Sequence, residues 1–177
     1  MILTGAQIAE ARANGEVWIE PFEPERCSTN SYDFRLFPAL RAIDGELDAA
    51  RPSAARQIEI PETGHVLRPG ALYLGLTYEL TGSARYAQLI NGDRSLGSLG
   101  VWVHVTAPLG HMGHAIRWTL EIRVAKPVRV YPLMDFGKIV FAATRGVAQD
   151  YRAGTPKYTA DEIAVSHLFQ EAAAWTR

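Results

Sequence analysis

Glu121 lies between two aliphatic residues in the run Trp118-Thr119-Leu120-Glu121-Ile122. In an extended strand those neighbours face away from it, so Glu121 shares a face with Thr119 and Arg123. Two readings of that face are open. The carboxylate is either a solvated strand residue paired with Arg117 or Arg123, or it lines a pocket where burial tunes it to pass protons as base and then acid. Upstream, Asn91-Gly92-Asp93-Arg94-Ser95-Leu96-Gly97-Ser98-Leu99-Gly100 reads as a glycine-interrupted polar turn entering an apolar strand. Glycines let backbone N–H groups approach an anion, and Arg94 with Ser95 would add a charge and a hydroxyl. Turns of this kind are common, so the motif alone does not single out an anion site. His111 and His114 stand three residues apart, but no third metal ligand is evident beside them. A polar or ligand-contacting role suits them better than a shared metal.

Composition restricts what surrounds these residues. A chain of 177 residues with 47% hydrophobic content suits one compact domain over 1–177, with a core of its own. A net charge of -1 leaves no basic excess for holding a nucleic acid polymer, although a local pocket for one small anion is compatible with it. No apolar run approaches the length that crosses a bilayer, so no membrane partner is expected. Met1-Ile2-Leu3-Thr4-Gly5 is not a charged segment followed by an apolar stretch, and no secretion signal is expected. Cys27 is the single cysteine, which rules out an internal disulfide and fits a reducing cytoplasm. One thiol also cannot supply the zinc site of the metal-dependent deaminases, which takes a His or Cys plus two further cysteines.

The elements that must position the candidate residues are mostly short strands. Thr4 and Gln7 form a capping box that opens a helix through Ile8, Ala9 and Ala11, and Asn14-Gly15 stops it. Val17-Trp18-Ile19 reads as a strand ended by Pro21, and Ser31–Leu36 alternates like a half-buried one. Residues 39–56 turn to Ala, Asp, Arg and Pro with little periodicity, the mark of a surface excursion with at most a short helical piece. Strand signals then follow at Ala71–Leu80, Tyr86–Ile90, Val101–Thr106, Ile116–Val124, Val128–Tyr131 and Ile139–Ala142, punctuated by Gly and Pro. This predicts a mainly β fold, a barrel or sandwich of short strands with an N-terminal helix. A C-terminal helix is expected over 159–177, from a capping box of Thr159 and Glu162 and a stripe of Val165, Leu168, Phe169, Ala172 and Trp175. Trp18, Trp102 and Trp118 read as core or subunit-contact aromatics.

Several of these segments together resemble the dCTP deaminase family. The run Arg94–Gly100 followed by Val103-His104-Val105-Thr106-Ala107 is similar to that family's core signature, and Leu120-Glu121 follows at the spacing of its catalytic glutamate. Ile19-Glu20-Pro21-Phe22, Asn30–Leu36, Val66–Gly70, Val130-Tyr131-Pro132 with Met134, and Lys157-Tyr158 agree in order over roughly residues 1–158. The resemblance implies a dUTPase-like fold and a homotrimer with active sites between subunits. It also implies metal-free deamination of a cytosine nucleotide, with no cofactor at the reacting carbon. Glu121 would take a proton from water and pass it to the ring, while the Ala107 carbonyl and Ser98 assist. Arg94, Ser95, Thr106, Trp118, Thr119, Lys157 and Tyr158 would contact substrate, the backbone at Trp118 and Thr119 reading the base edge. Mg2+ would accompany a polyphosphate substrate. His104 is expected to be structural.

The chain departs from the family pattern at identifiable points. The typical turn reads Arg-Ser-Ser-Leu-Ala-Arg-Leu-Gly, against Asp93–Gly100 here. Either Arg94 and Ser98 have exchanged places, or one residue is deleted and Arg94-Ser95 keeps the phosphate contact. After Ala107 the family has His-Arg-Ile-Asp-Pro-Gly-Trp, whereas this chain has Pro108-Leu109-Gly110-His111-Met112-Gly113-His114. The usual arginine to phosphate and aspartate to sugar hydroxyl are gone, and His111 is the candidate replacement for a sugar or phosphate contact. The expected activity is therefore cytosine-nucleotide deamination with altered sugar or phosphate specificity. The alternatives are a non-catalytic nucleotide-binding or regulatory relative, and a dUTPase-like phosphohydrolase.

Overall fold

The structure, a computed structural model, describes residues 1–146 and 163–174. Helix α1 (Gly5–Ala13) starts where the capping box requires. Thr4 Oγ1 accepts from the Gln7 N–H, and Gln7 Oε1 accepts from the Thr4 N–H. Ile8 and Ala11 bury one side of the helix, and Gly5 lies so close to the Ser28 carbonyl that a side chain there would collide with it. The strands are β1 (Val17–Glu20), β2 (Tyr32–Ile43), β3 (Ala55–Glu59), β4 (His65–Leu67), β5 (Leu72–Thr77), β6 (Leu80–Ser83) and β7 (Tyr86–Gly92). A one-turn helix α2 (Arg94–Ser98) follows, then β8 (Val101–Trp102), β9 (Leu109–Gly110), β10 (His114–Ile116), β11 (Thr119–Val124), β12 (Val128–Val130) and β13 (Asp135–Ala143).

All pairings between these strands are antiparallel. The large curled sheet runs β8-β11-β5-β2-β13-β7-β9 with β3 beside β2, and β1-β6-β10 and β4-β12 form two smaller sheets. The mainly β architecture and the N-terminal helix agree with the sequence reading. The main core gathers alternate residues of the central strands, among them Phe34 and Leu36 of β2, Leu120 and Ile122 of β11, and Ile139 and Phe141 of β13. A smaller cluster of Ile43, Leu74, Leu76 and Ile163 covers the other face of β5. That strand is buried on both sides.

Several expectations change. The surface excursion of 39–56 begins as strand, because β2 continues to Ile43 and β3 starts at Ala55. Pro38 does not stop it: the register shifts between Leu36 and Leu40, and the Pro38 carbonyl accepts from the Ile60 N–H. The single strand expected over Ile116–Val124 is two strands in different sheets, broken where Thr77 engages the Trp118 backbone. Of the C-terminal helix expected over 159–177, the described part is a 3-10 helix over Leu168–Ala174. Before it, Ile163–His167 is not helical, since Arg41 Nη1 donates to the Ile163 carbonyl and the Ala164 N–H to Thr119 Oγ1. Thr159, Glu162, Trp175 and the Lys157-Tyr158 pair lie outside the described residues.

The polar turn at 93–98 is also helical. Asp93 caps α2, its Oδ1 accepting from the Ser95 N–H at 2.7 Å, and Leu96 is the buried residue of the turn. The Ser95 amide, assisted by Lys138, holds the Asp93 carboxyl below its ordinary range against the opposing effect of burial. A depressed folded-state value means that the cap contributes fully above the ordinary carboxylate range and fades as pH falls through the lowered value. Asp93→Ala is expected to cost about 0.5–2 kcal/mol near neutrality. In denaturant unfolding the gap from the parent should narrow on acidification, and a gap that widens instead would contradict this account.

Candidate active site

The strand expected over Val101–Thr106 stops at Trp102, and residues 103–106 form bends rather than strand. Their amides have another partner. The N–H groups of Val105 and Thr106 donate to Glu121 Oε2 at 2.8 and 3.0 Å, while the Glu121 N–H donates to the Val103 carbonyl at 3.1 Å. Within β11, Leu120 and Ile122 face the core and Glu121 faces the other way, as the alternation predicts. No ion pair joins Glu121 to Arg117 or Arg123 among the described residues. Both backbone donors fall on one carboxylate oxygen, so the group's orientation is held while Oε1 accepts no hydrogen bond from a described residue.

A cavity of about 760 Å³ opens beside this carboxylate. Thr106, Ala107, His111, Trp118, Thr119 and Glu121 all line it, so the fold gathers six of the residues singled out from the sequence. His114 also lines it and is buried. Arg94, Ser95 and Ser98 are exposed on α2 and do not line the cavity, and the Ser98 hydroxyl donates to the Arg94 carbonyl. The backbone of Trp118 is already engaged with Thr77: its N–H donates to Thr77 Oγ1 and its carbonyl accepts from the Thr77 N–H. Its indole Nε1 donates to Thr81 Oγ1 at 3.1 Å. Gly110 makes room for that ring, for a Cβ there would lie 2.4 Å from two indole carbons. Trp118 is a core aromatic, whereas Trp18 and Trp102 reach the surface.

Other lining residues come from distant segments. Arg41 reaches the cavity from the far half of β2, and Ile163–Leu168 forms part of the wall. Arg117 lines it with its guanidinium 5.5 and 5.6 Å above the rings of Phe37 and Tyr78. Among the described residues, the wall sets two guanidinium groups against one carboxylate, histidines aside, which suits an anionic ligand. Sequence pattern gives no hint of Arg41, because its place depends on how β2 pairs. Gln88 did leave a signal: it occupies the face of β7 on which Tyr86 and Ile90 are buried, a polar residue at an apolar position.

Comparison with known proteins adds to this geometry. The profile of the dCTP deaminase-like family matches residues 2–144. A dUMP-forming dCTP deaminase of Cytophaga hutchinsonii is 40% identical over 155 residues, 87% of this chain and 89% of that protein. Another, of Leptospira biflexa, is 38% identical over 173 residues and covers 97% and 98% of the two. Among solved structures, the 2'-deoxycytidine 5'-triphosphate deaminase of Agrobacterium tumefaciens shares the fold, with a TM-score of 0.65 at 18% identity. That match takes in 81% of this chain and 48% of the other. Profile, relatives and fold agree over most of the sequence, and the chain belongs to the dCTP deaminase-like family.

Proposed function

We propose that this protein hydrolytically deaminates a cytosine nucleotide to the uracil nucleotide, with Glu121 moving the protons. The observation that carries the reading is a carboxylate held by two backbone amides on a cavity wall, one of its oxygens left for a water. The relatives' names, dUMP-forming dCTP deaminases, support the reaction class. A water held between Glu121 Oε1 and the Ala107 carbonyl gives a proton to Glu121, which delivers it to N3 of the ring, and the hydroxide adds to C4. The same carboxylate then carries the proton of the added hydroxyl to the amino group. The C4–N bond breaks, ammonia leaves, C4 becomes a carbonyl and Glu121 is again ionised. One group acts as base and then acid in a partly closed space. With the Trp118 backbone engaged by Thr77, reading of the base edge falls to Thr119.

Arg94, Ser95 and Ser98 enter this reading from a neighbouring protomer of a trimer, as phosphate and water contacts. Leu99, Trp102 and Val105 support such an assembly, being large apolar residues left 55, 55 and 49% exposed in the single chain. Any Mg2+ arrives with a polyphosphate as part of the substrate, and a reducing cytoplasm belongs to the same reading. The missing family arginine and aspartate after Ala107 point to fewer phosphates than dCTP carries, or to a ribose. Ammonia and uracil-nucleotide formation from cytidine and 2'-deoxycytidine, free and as mono-, di- and triphosphates, tests this. Turnover is expected with at least one, and none with any would end the enzymatic reading. The relatives' dUMP-forming label favours a second hydrolysis, loss of diphosphate from the triphosphate. Diphosphate appearing in step with ammonia would establish it.

A further inference from the structure

Gln88 is 1% exposed and lines the cavity, yet its Oε1 makes no hydrogen bond although it is shielded from solvent. Buried carboxamide oxygens almost always have a partner, because leaving one unpaired costs its full desolvation. Packing does not demand a polar residue here. Gln88 pairs in register with Gly110 of β9 and Phe141 of β13, and the Gly110 position lies against its Cβ.

Position along the strands says which part of a ligand would reach it. The Ile90 N–H donates to the Pro108 carbonyl, so β7 follows the chain from Pro108 to Gly110. Thr106, whose N–H holds Glu121, is four residues before Gly110, at most about 14 Å of chain. Gln88 therefore shares its part of the cavity wall with Gly110 and Trp118. The proposed pose sets C4 of a pyrimidine at Glu121 and its sugar against this part of the wall. A sugar hydroxyl also suits the chemistry, since it can donate to the carboxamide oxygen or accept from its NH2, whichever way the group is turned.

We propose that Gln88 is a specificity-determining residue, its carboxamide taking a sugar hydroxyl of the nucleotide. This rests on the reading of Glu121 above. The test compares cytidine, 2'-deoxycytidine and 2',3'-dideoxycytidine as 5'-monophosphates and 5'-triphosphates. Dissociation constants are read in Glu121→Gln protein, to slow conversion of the ligand, with and without Gln88→Leu. At the better-bound phosphate level, the parent carboxamide should favour a hydroxylated sugar over the dideoxy form by about 5- to 150-fold, a preference that Gln88→Leu erases. The melting temperature of the leucine variant should be unchanged or higher, because an unpaired buried acceptor has been removed. A preference surviving in Gln88→Leu, an equal loss for all three sugars, or no preference at all overturns the assignment. A melting temperature that falls with sugar preference intact marks a purely structural residue. Ammonia release by otherwise unaltered protein is followed in parallel. Sugar-dependent binding without turnover defeats the deaminase reading alone, and absence of any binding defeats both.

Discussion

Glu121→Gln is expected to fold, to bind a cytosine nucleotide as the parent does, and to release ammonia about 10²- to 10⁴-fold more slowly. The substitution keeps the shape of the side chain. A carboxamide oxygen can still accept from the Val105 and Thr106 amides, so the bend at 103–106 keeps its anchor. What is lost is the ability to take a proton from water and return it, and no described residue beside Glu121 offers a second carboxylate on the cavity wall. Single-turnover ammonia release with a separate binding measurement distinguishes lost chemistry from lost affinity. A variant that binds normally and turns over at the parental rate would remove Glu121 from the mechanism.

The largest effect on stability should come from Glu79. Its side chain is fully buried, and its two oxygens accept from the Arg35 N–H at 2.8 Å and from Arg35 Nε at 2.6 Å. The same guanidinium pairs with Glu23 at 2.8 Å and lies 4.9 Å above the Tyr78 ring. Glu79 thereby ties the β5–β6 connection to β2, the strand from which Arg41 reaches the cavity. Glu79→Ala leaves the Arg35 amide without its acceptor and the largely buried guanidinium with Glu23 alone, at a cost approaching the roughly 3–5 kcal/mol of a broken buried pair. For a domain of this size the fall in melting temperature should be on the order of 10 °C. Arg35→Met combined with Glu79→Gln should recover much of the loss, because the cation is gone and the carboxamide still receives the Arg35 N–H. A Glu79→Ala protein within about 1 kcal/mol of the parent would show that the pair contributes little, as exposed ion pairs do.

Much of the fold was legible because its signals are local. The Thr4–Gln7 box starts α1 where the spacing says it must, and Leu120-Glu121-Ile122 turns Glu121 away from the core by strand alternation alone. The misread segments share a different cause. Pro38 ends a strand by local rule, yet a register shift lets β2 run on to Ile43. Apolar content from Ile116 to Val124 looks continuous, yet Thr77, some forty residues upstream, engages the Trp118 backbone and divides it. The amphipathic tail yields its Ile163 carbonyl to Arg41, a partner far away in the chain.

The amino-acid order by itself determined the strand-rich architecture, the first helix and the face that Glu121 presents, because periodicity, caps and turns act within a few residues of one another. Tertiary structure decided the rest. Only the pairing of β2 with β5 and of β7 with β9 brings Arg41 and Gln88 to the same cavity as Glu121, and only the bend after Trp102 turns two amides onto that carboxylate. These contacts join positions from 41 to 168, and their partners are chosen by sheet register and packing, which no short window of sequence contains.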